Sequence, residues 1–165
     1  RIGQIPDSIF IGQSVVYPGH LMFSTLEGVP LEKRLELPVF EDTQCGIGLG
    51  LWLAGYRPVV SIYPRLDFLM IAANQLVNHL DKWASMGGGN PKVIIRSMPG
   101  SIAPIYSGPQ HSQDHSEALK LMCPHITVLK ITEPEHVYSA YQRAVEEKGP
   151  FIVIEAPPKR MGYEG

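Results

Sequence analysis

The sequence has little cysteine, few charged residues and no long apolar run, and each shortage narrows the class of protein. Its 165 residues include 2 cysteines, Cys45 and Cys123, too few for a disulfide framework or a cysteine-based metal site. Each lies in an apolar stretch, so we expect both to be small buried residues. No apolar run reaches the roughly 18 residues of a membrane-spanning helix, and no basic-then-apolar leader opens the sequence. These features predict a cytoplasmic protein.

The charge balance also excludes some partners. Charged residues make up 18% of the sequence, the formal net charge is −2, and there is no run rich in lysine and arginine. Such a balance argues against nucleic acid or an anionic membrane as the main partner. Apolar residues make up 44%, so the chain suits one domain with a sizeable core.

Short apolar runs alternate with helical stretches along the chain. Strands are predicted at residues 8–12, 59–62, 92–97, 126–131 and 151–154. Helices are predicted at residues 41–54, 67–86, 116–122 and 133–148, the second capped by Asp67. Two Pro/Gly-rich loops are predicted at 15–37, with one short helix, and at 98–112. The alternation predicts an α/β fold, a parallel sheet of five to six strands with helices on both faces.

Glu41, at the start of the first long helix, is a candidate site residue. A carboxylate there is favoured by the helix dipole, so it could simply stabilise the helix. Alternatively, it is a partly buried carboxyl that shares a proton with a ligand nitrogen, which the apolar neighbour Phe40 favours. Asp42 could equally cap the helix and leave Glu41 free for such work. The residues alone leave both interpretations open.

Three glycines follow in the same helix, Gly46, Gly48 and Gly50. Their spacing does not meet the G-x-G-x-x-G pattern of a dinucleotide-binding turn. We therefore interpret them as positions where the helix packs closely against a neighbour.

His111 lies in the loop that follows the strand at 92–97, where open parallel sheets place their ligands. Gln110, Ser112, Gln113 and His115 make this loop rich in hydrogen-bonding side chains. A lone surface histidine is usually inert, and a zinc site built from two histidines would lack a third ligand nearby in the sequence. No metal site is predicted.

Several motifs, taken in order, resemble one family. They are Glu41 to Gly55, Arg57-Pro58-Val59-Val60, Phe68 with Asn74-Gln75-Leu76-Val77-Asn78, Met86-Gly87-Gly88, Gln110-His111-Ser112-Gln113 and Cys123-Pro124. The chain resembles the pyrimidine-binding domain of thiamine diphosphate-dependent enzymes, above all the β subunit of 2-oxo acid dehydrogenases, and more distantly transketolase. The resemblance covers residues 6–155 and implies the thiamine diphosphate-binding fold, with residues 1–165 as a single pyrimidine-binding domain.

The resemblance implies roles for individual residues. Glu41 would donate a proton to the aminopyrimidine ring of thiamine diphosphate and so activate the cofactor. Phe68, or less readily Tyr63, would stack on that ring, and Gln13 would be a further cofactor contact. His111 would face the substrate, which the resemblance implies to be a 2-oxo acid or ketose-like compound.

The sequence departs from the family at three positions near these residues. Gln13-Ser14 stands where relatives usually carry two acids, Ser61 where they often carry a glutamate, and Phe40 where a serine usually precedes the catalytic glutamate. The neutral pair would weaken any cofactor or partner contact that those acids make. We therefore expect a substrate that is not a standard one.

The family's diphosphate-binding motif, Gly-Asp-Gly followed by an asparagine, is not found in this sequence. The resemblance therefore implies that a separate diphosphate-binding subunit of the α type supplies magnesium, in a homodimer or heterotetramer. The family's C-terminal domain is likewise absent. Two alternatives stay open: a non-catalytic interaction or assembly module, and an excised fragment of a longer β subunit.

Overall fold

The computed structural model describes residues 1–100 and 106–156 of the chain. One parallel sheet of six strands, in the order β2-β1-β3-β4-β6-β5, forms its centre. The strands are β1 Ile9–Gly12, β2 Arg34–Glu36, β3 Val59–Tyr63, β4 Val93–Ser97, β5 Thr127–Ile131 and β6 Phe151–Glu155. Every neighbouring pair is parallel, which confirms the predicted α/β fold.

Helices connect the strands on both faces of the sheet. The α-helices of the described residues are α1 Leu21–Ser24, α2 Glu41–Leu53, α3 Leu66–Leu69, α4 Ser116–Met122 and α5 Val137–Glu146. Short 3₁₀ turns span Ile2–Gln4, Leu31–Lys33, Met70–Ala72 and Pro134–His136, and a π-helix spans Gln75–Leu80. Within the described ranges, no helix combines the length and apolarity needed to cross a bilayer.

The sheet is apolar on both faces, so it separates two cores. Because side chains alternate along a strand, Val59 and Tyr63 of β3 point into one core while Val60 and Ile62 point into the other. The first core is closed by α2, α3, the π-helix and α4, and the second by α1 and α5. Because the central strands are buried on both faces, their sequences are continuous apolar runs.

The α2 helix lies on the sheet through one stripe of side chains. Its buried residues recur at helical spacing and are Glu41, Gln44, Cys45, Gly48, Leu49 and Trp52. The expectation that its three glycines are needed for close packing is wrong. A methyl group on Gly48 would make ordinary van der Waals contact with Val93 at 3.7 Å, and one on Gly50 would face open space.

The predicted loop at 15–37 contains a strand that the sequence pattern did not reveal. Arg34–Glu36 pairs with β1 as β2, at the edge of the sheet. The strand has three residues, two of them charged, and Leu35 is exposed, so it shows no apolar run. The predicted loop at 98–112 is described only at 98–100 and 106–112, because residues 101–105 lie outside the described part of the chain.

The helix predicted at 67–86 is shorter and less regular than expected. It begins at Leu66, after Arg65 as the N-cap residue, and Asp67 lies in its first turn without capping it. The chain then tightens into a 3₁₀ turn and widens into the π-helix, which ends with a bond from Asp81 N to Leu76 O at 2.8 Å. The buried Asp81 carboxylate accepts from His125 N at 2.7 Å, which ties this helix end to the approach to β5.

Both cysteines are buried and unpaired, as expected from their apolar surroundings. Burial raises the pKa of the Cys45 thiol to about 12 and that of Cys123 to about 11, so the reactive thiolate is scarce at neutral pH. We predict that Ellman's reagent modifies neither cysteine in the native chain and modifies both after unfolding. Rapid modification of the native chain would contradict this burial.

The second face of the sheet carries an ion pair beside its core. Arg96 on β4 donates from Nε and Nη2 to the two carboxylate oxygens of Glu155 at 3.0 and 2.8 Å. Tyr141 of α5 donates to the same carboxylate at 2.6 Å. Although burial opposes the charge, these hydrogen bonds hold the pKa of Arg96 above its usual value. The network joins α5 to the sheet.

Replacing Arg96 tests the contribution of this network. Arg96→Met leaves the Glu155 carboxylate without its cation, and we expect the free energy of unfolding to fall by about 2–3 kcal/mol in urea denaturation. Arg143→Met is the matched control, because the Arg143–Glu147 pair is exposed on α5, and we expect little change. Equal effects of the two changes would contradict the structural role of Arg96.

Candidate active site at the carboxyl edge of the sheet

The chain reverses its direction across the sheet between β1 and β3. From β1 it moves outward to β2, and it then returns to place β3 on the other side of β1. In open parallel sheets, ligands bind outside the carboxyl ends of strands at such a switch point. We therefore expect a ligand site at the residues that follow β1 and β3 and at the start of α2.

Glu41 lies at this switch point, in the first turn of α2. It is 5% exposed, and its side chain meets Gln13, which follows β1, with Nε2 of the amide 3.4 Å from Oε1. The hydroxyl of Tyr63, the last residue of β3, donates to the backbone oxygen of Glu41 at 3.0 Å. The acid is thus held between the ends of the two strands while its carboxyl makes one long contact.

A second contact from the same turn of α2 fixes the helix to β3. The amide of Gln44, fully buried, donates to Ser61 Oγ at 3.1 Å and to Ile62 O at 2.9 Å. Its own oxygen has no hydrogen-bond partner within the described residues. Ser61, where relatives often carry a glutamate, therefore serves here as the acceptor that anchors α2.

The loop after β1 is held by a residue that the sequence did not single out. Glu36 of β2 accepts from three successive backbone N–H groups, those of Ser14 at 2.5 Å, Val15 at 2.7 Å and Val16 at 3.1 Å. Successive N–H groups turned to one side form a concave anion site, and here the anion is the protein's own carboxylate. Ser14 adopts a positive φ of 59° to make this turn, which fixes the neighbouring Gln13.

Phe68 and His111, which follow the carboxyl ends of β3 and β4, contact each other. Their ring centroids are 5.4 Å apart with an interplanar angle of 86°, an edge-to-face contact. Phe68 belongs to α3, which follows β3, whereas His111 lies in the loop after β4. Nδ1 of His111 lies 3.2 Å from the carbonyl oxygen of Ser107. Because a carbonyl oxygen only accepts, a hydrogen bond here requires the proton of a neutral imidazole to be on Nδ1. The lone pair of that ring is then on Nε2.

The other sequence candidates take different places. Tyr63 is 1% exposed and belongs to the core, so its ring has no free face for a ligand. Asp42 does not cap α2, whose N-cap residue Phe40 makes no side-chain cap. His115 approaches Asp67 at 3.3 Å, and no group of three or more potential metal ligands occurs among the described residues.

The candidate site lies outside the two main cavities of the described residues. The two main cavities of the described residues are lined by neither Glu41, Phe68 nor His111. The larger, of about 790 Å³, opens on the α5 face beside Phe10 and Tyr141.

A buried acid and an aromatic–imidazole pair at the carboxyl edge of an open parallel sheet define a ligand-binding α/β domain. Residues 18–159 match the family described as "Transketolase, pyrimidine binding domain". The chain belongs to this family.

Curated relatives agree with this membership. The chain is 31% identical over 126 residues to the pyruvate dehydrogenase E1 component subunit beta of Cyanidium caldarium, covering 73% of this chain and 36% of that protein. It is 27% identical over 129 residues to the acetoin:2,6-dichlorophenolindophenol oxidoreductase subunit beta of Cupriavidus necator, covering 75% and 36%. The chain thus spans about a third of the length of these relatives.

Solved structures show the same fold. A structure described as a split gene transketolase, inactive beta4 tetramer, aligns with a TM-score of 0.69 at 16% identity, covering 92% of this chain and 45% of that one. Transketolase from Campylobacter jejuni aligns with a TM-score of 0.66 at 13% identity, covering 91% and 22%.

The family binds thiamine diphosphate, and the residues present here fit the pyrimidine end of that cofactor. Glu41 is a buried carboxyl with a single long side-chain contact, so it retains hydrogen-bonding capacity for a ring nitrogen. Phe68 is half-buried and offers an aromatic surface. The described residues show no cluster suited to a metal ion, so they do not fit the diphosphate end.

Glu36 gives a test of how the loop beside Glu41 is held. Glu36→Gln replaces one of the two acceptor oxygens by an NH₂ group that faces backbone N–H donors and removes the negative charge. We therefore expect a loss of about 2 kcal/mol in the free energy of unfolding and faster hydrogen exchange at Val15 and Val16. Glu32→Gln, on an exposed neighbouring turn, is the control. Unchanged exchange at Val15 and Val16 in Glu36→Gln would show that this carboxylate does not order the loop.

Proposed function

We propose that this chain is the pyrimidine-binding half of a thiamine diphosphate-dependent enzyme acting on a 2-oxo acid or ketose-like substrate. The observation that carries the proposal is the buried Glu41 carboxyl at the switch point between β1 and β3. Family membership supports it, because the pyrimidine-binding domain is the part that matches.

In this proposal Glu41 holds a proton at its carboxyl and shares it with a ring nitrogen of the cofactor's aminopyrimidine. Burial removes competing water, which strengthens such a hydrogen bond. Gln13 donates to Oε1, and this contact directs the remaining carboxyl oxygen towards the ligand. Glu41 is thus contacted on two sides: Gln13, after β1, meets its carboxyl, and Tyr63 of β3 donates to its backbone oxygen.

When bound, thiamine diphosphate would supply a nucleophilic carbon for chemistry at the carbonyl group of the substrate. Phe68 provides the apolar surface for the pyrimidine ring. His111, with the lone pair of its neutral form on Nε2, steers the substrate or accepts a proton from it. His111 lies edge-on to Phe68, so cofactor and substrate positions would be coupled.

A second chain would supply the diphosphate and magnesium contacts, as a separate subunit of the α type. The outer face of α2 supports this: Thr43 and Gly50 are exposed, and Leu53 is 57% exposed. Two curated relatives are themselves named as beta subunits.

A non-catalytic assembly module is the second candidate. The neutral Gln13-Ser14 pair and Ser61 favour it, because relatives often carry acids at these positions. The fold and an assembly surface would then persist without a role for Glu41 in cofactor binding. Titration of the chain with thiamine diphosphate separates the two candidates.

Isothermal titration of thiamine diphosphate with magnesium provides the test. We expect binding heat only from this chain mixed with a diphosphate-domain chain of the same genome. Glu41→Ala or Glu41→Gln should weaken binding at least tenfold, which corresponds to about 1.4 kcal/mol, since neither side chain has an acidic proton to share with the ring nitrogen.

Glu117→Gln, on the exposed side of α4, is the matched control and should bind like the unaltered chain. Equal binding by the Glu41 variants would overturn the role of this acid and favour the assembly module. Absence of heat from every mixture would overturn the split-enzyme proposal.

A further inference from the structure

Asp67 forms a buried link between α3 and the loop that carries His111. Its side chain is 8% exposed. Its Oδ1 accepts from Gln113 Nε2 at 3.0 Å and lies 3.3 Å from His115 Nε2. A single carboxylate oxygen thus gathers two side chains from a loop far away in the sequence.

The loop meets α3 through alternate residues. His111 contacts Phe68, while Gln113 and His115 contact Asp67. Because Asp67 and Phe68 are adjacent in α3, the two sets of contacts form one continuous interface.

The backbone of Gly100 also restricts the position of His111. A methyl group added to Gly100 would lie 1.7 Å from the carbonyl oxygen of His111, so the two backbones are in direct contact. Gly100 limits how deeply His111 can sit, whereas Phe68 limits its ring on one side. The contacts of Asp67 determine how closely the loop approaches α3.

Core stability alone does not account for a carboxylate at this position. Oδ2 of Asp67 is buried and has no hydrogen-bond partner among residues 1–100 and 106–156. A buried acceptor without a donor costs free energy, and an apolar side chain would avoid that cost. The acid is therefore better explained by the loop contacts that it makes through Oδ1.

We infer that Asp67 is a positioning residue, which clamps the 106–115 loop onto α3 and so sets the position of the His111 ring against Phe68. Its importance for catalysis rests on the function proposed above, in which these two rings face substrate and cofactor. The clamp itself is a property of the chain alone. It can be tested without cofactor or partner.

The test is the NMR signal of the His111 ring in the isotope-labelled chain, identified by its disappearance in His111→Gln. Phe68→Leu serves as the reference, because it removes the neighbouring aromatic ring and its effect on the chemical shift. In Asp67→Ala we expect the His111 signal to move most of the way towards its position in Phe68→Leu. Asp67→Asn, which keeps an oxygen acceptor for Gln113, should give a smaller displacement.

Gln113→Ala is the second variant, and since Gln113 is exposed it keeps the test decisive should Asp67→Ala fail to fold. It should displace the signal in the same direction, whereas Glu117→Gln should not displace it. Unchanged His111 signals in the folded Asp67 and Gln113 variants would overturn the clamp. Because no cofactor is present, that outcome is distinguishable from failure of the Glu41 titration.

Discussion

The site depends on how the first turn of α2 is fixed above the gap between β1 and β3. Tyr63 binds the backbone oxygen of Glu41, and Gln44 binds Ser61 and Ile62. All of these contacts join the start of one helix to the end of one strand. Because none of them uses the Glu41 carboxyl, the acid is positioned by its backbone and keeps its functional group available.

Incomplete hydrogen bonding is concentrated at the same edge of the sheet. Three buried side-chain atoms lack a partner within the described residues: Gln44 Oε1, Asp67 Oδ2 and Ser97 Oγ. Gln44 lies at the start of α2, Asp67 follows β3, and Ser97 ends β4. Proteins leave buried polar atoms without hydrogen-bond partners mainly at functional sites. The rest of the sheet, by contrast, is packed with apolar side chains on both faces.

Much of the fold could be predicted from the sequence because its central strands are buried on both faces and read as apolar runs. The edge strand β2 could not, since Arg34 and Glu36 flank a single exposed leucine. Glu41 and His111 were found through short local motifs. The contacts of Glu36 and Asp67 could not be predicted in this way. The partners of Glu36 lie about 20 residues away in the sequence and those of Asp67 more than 40, and no local pattern signals such contacts.

The neutral residue at position 13 can be understood from the geometry around Glu41. Gln13 Nε2 lies 3.4 Å from Glu41 Oε1, where a second acid would set one acceptor oxygen against another. The amide of Gln13 can instead donate to that oxygen. The loop's own N–H groups are meanwhile satisfied by Glu36 from β2. The geometry at Gln13 is therefore compatible with a working Glu41, which weighs against the support that the neutral Gln13-Ser14 pair gives to the assembly module.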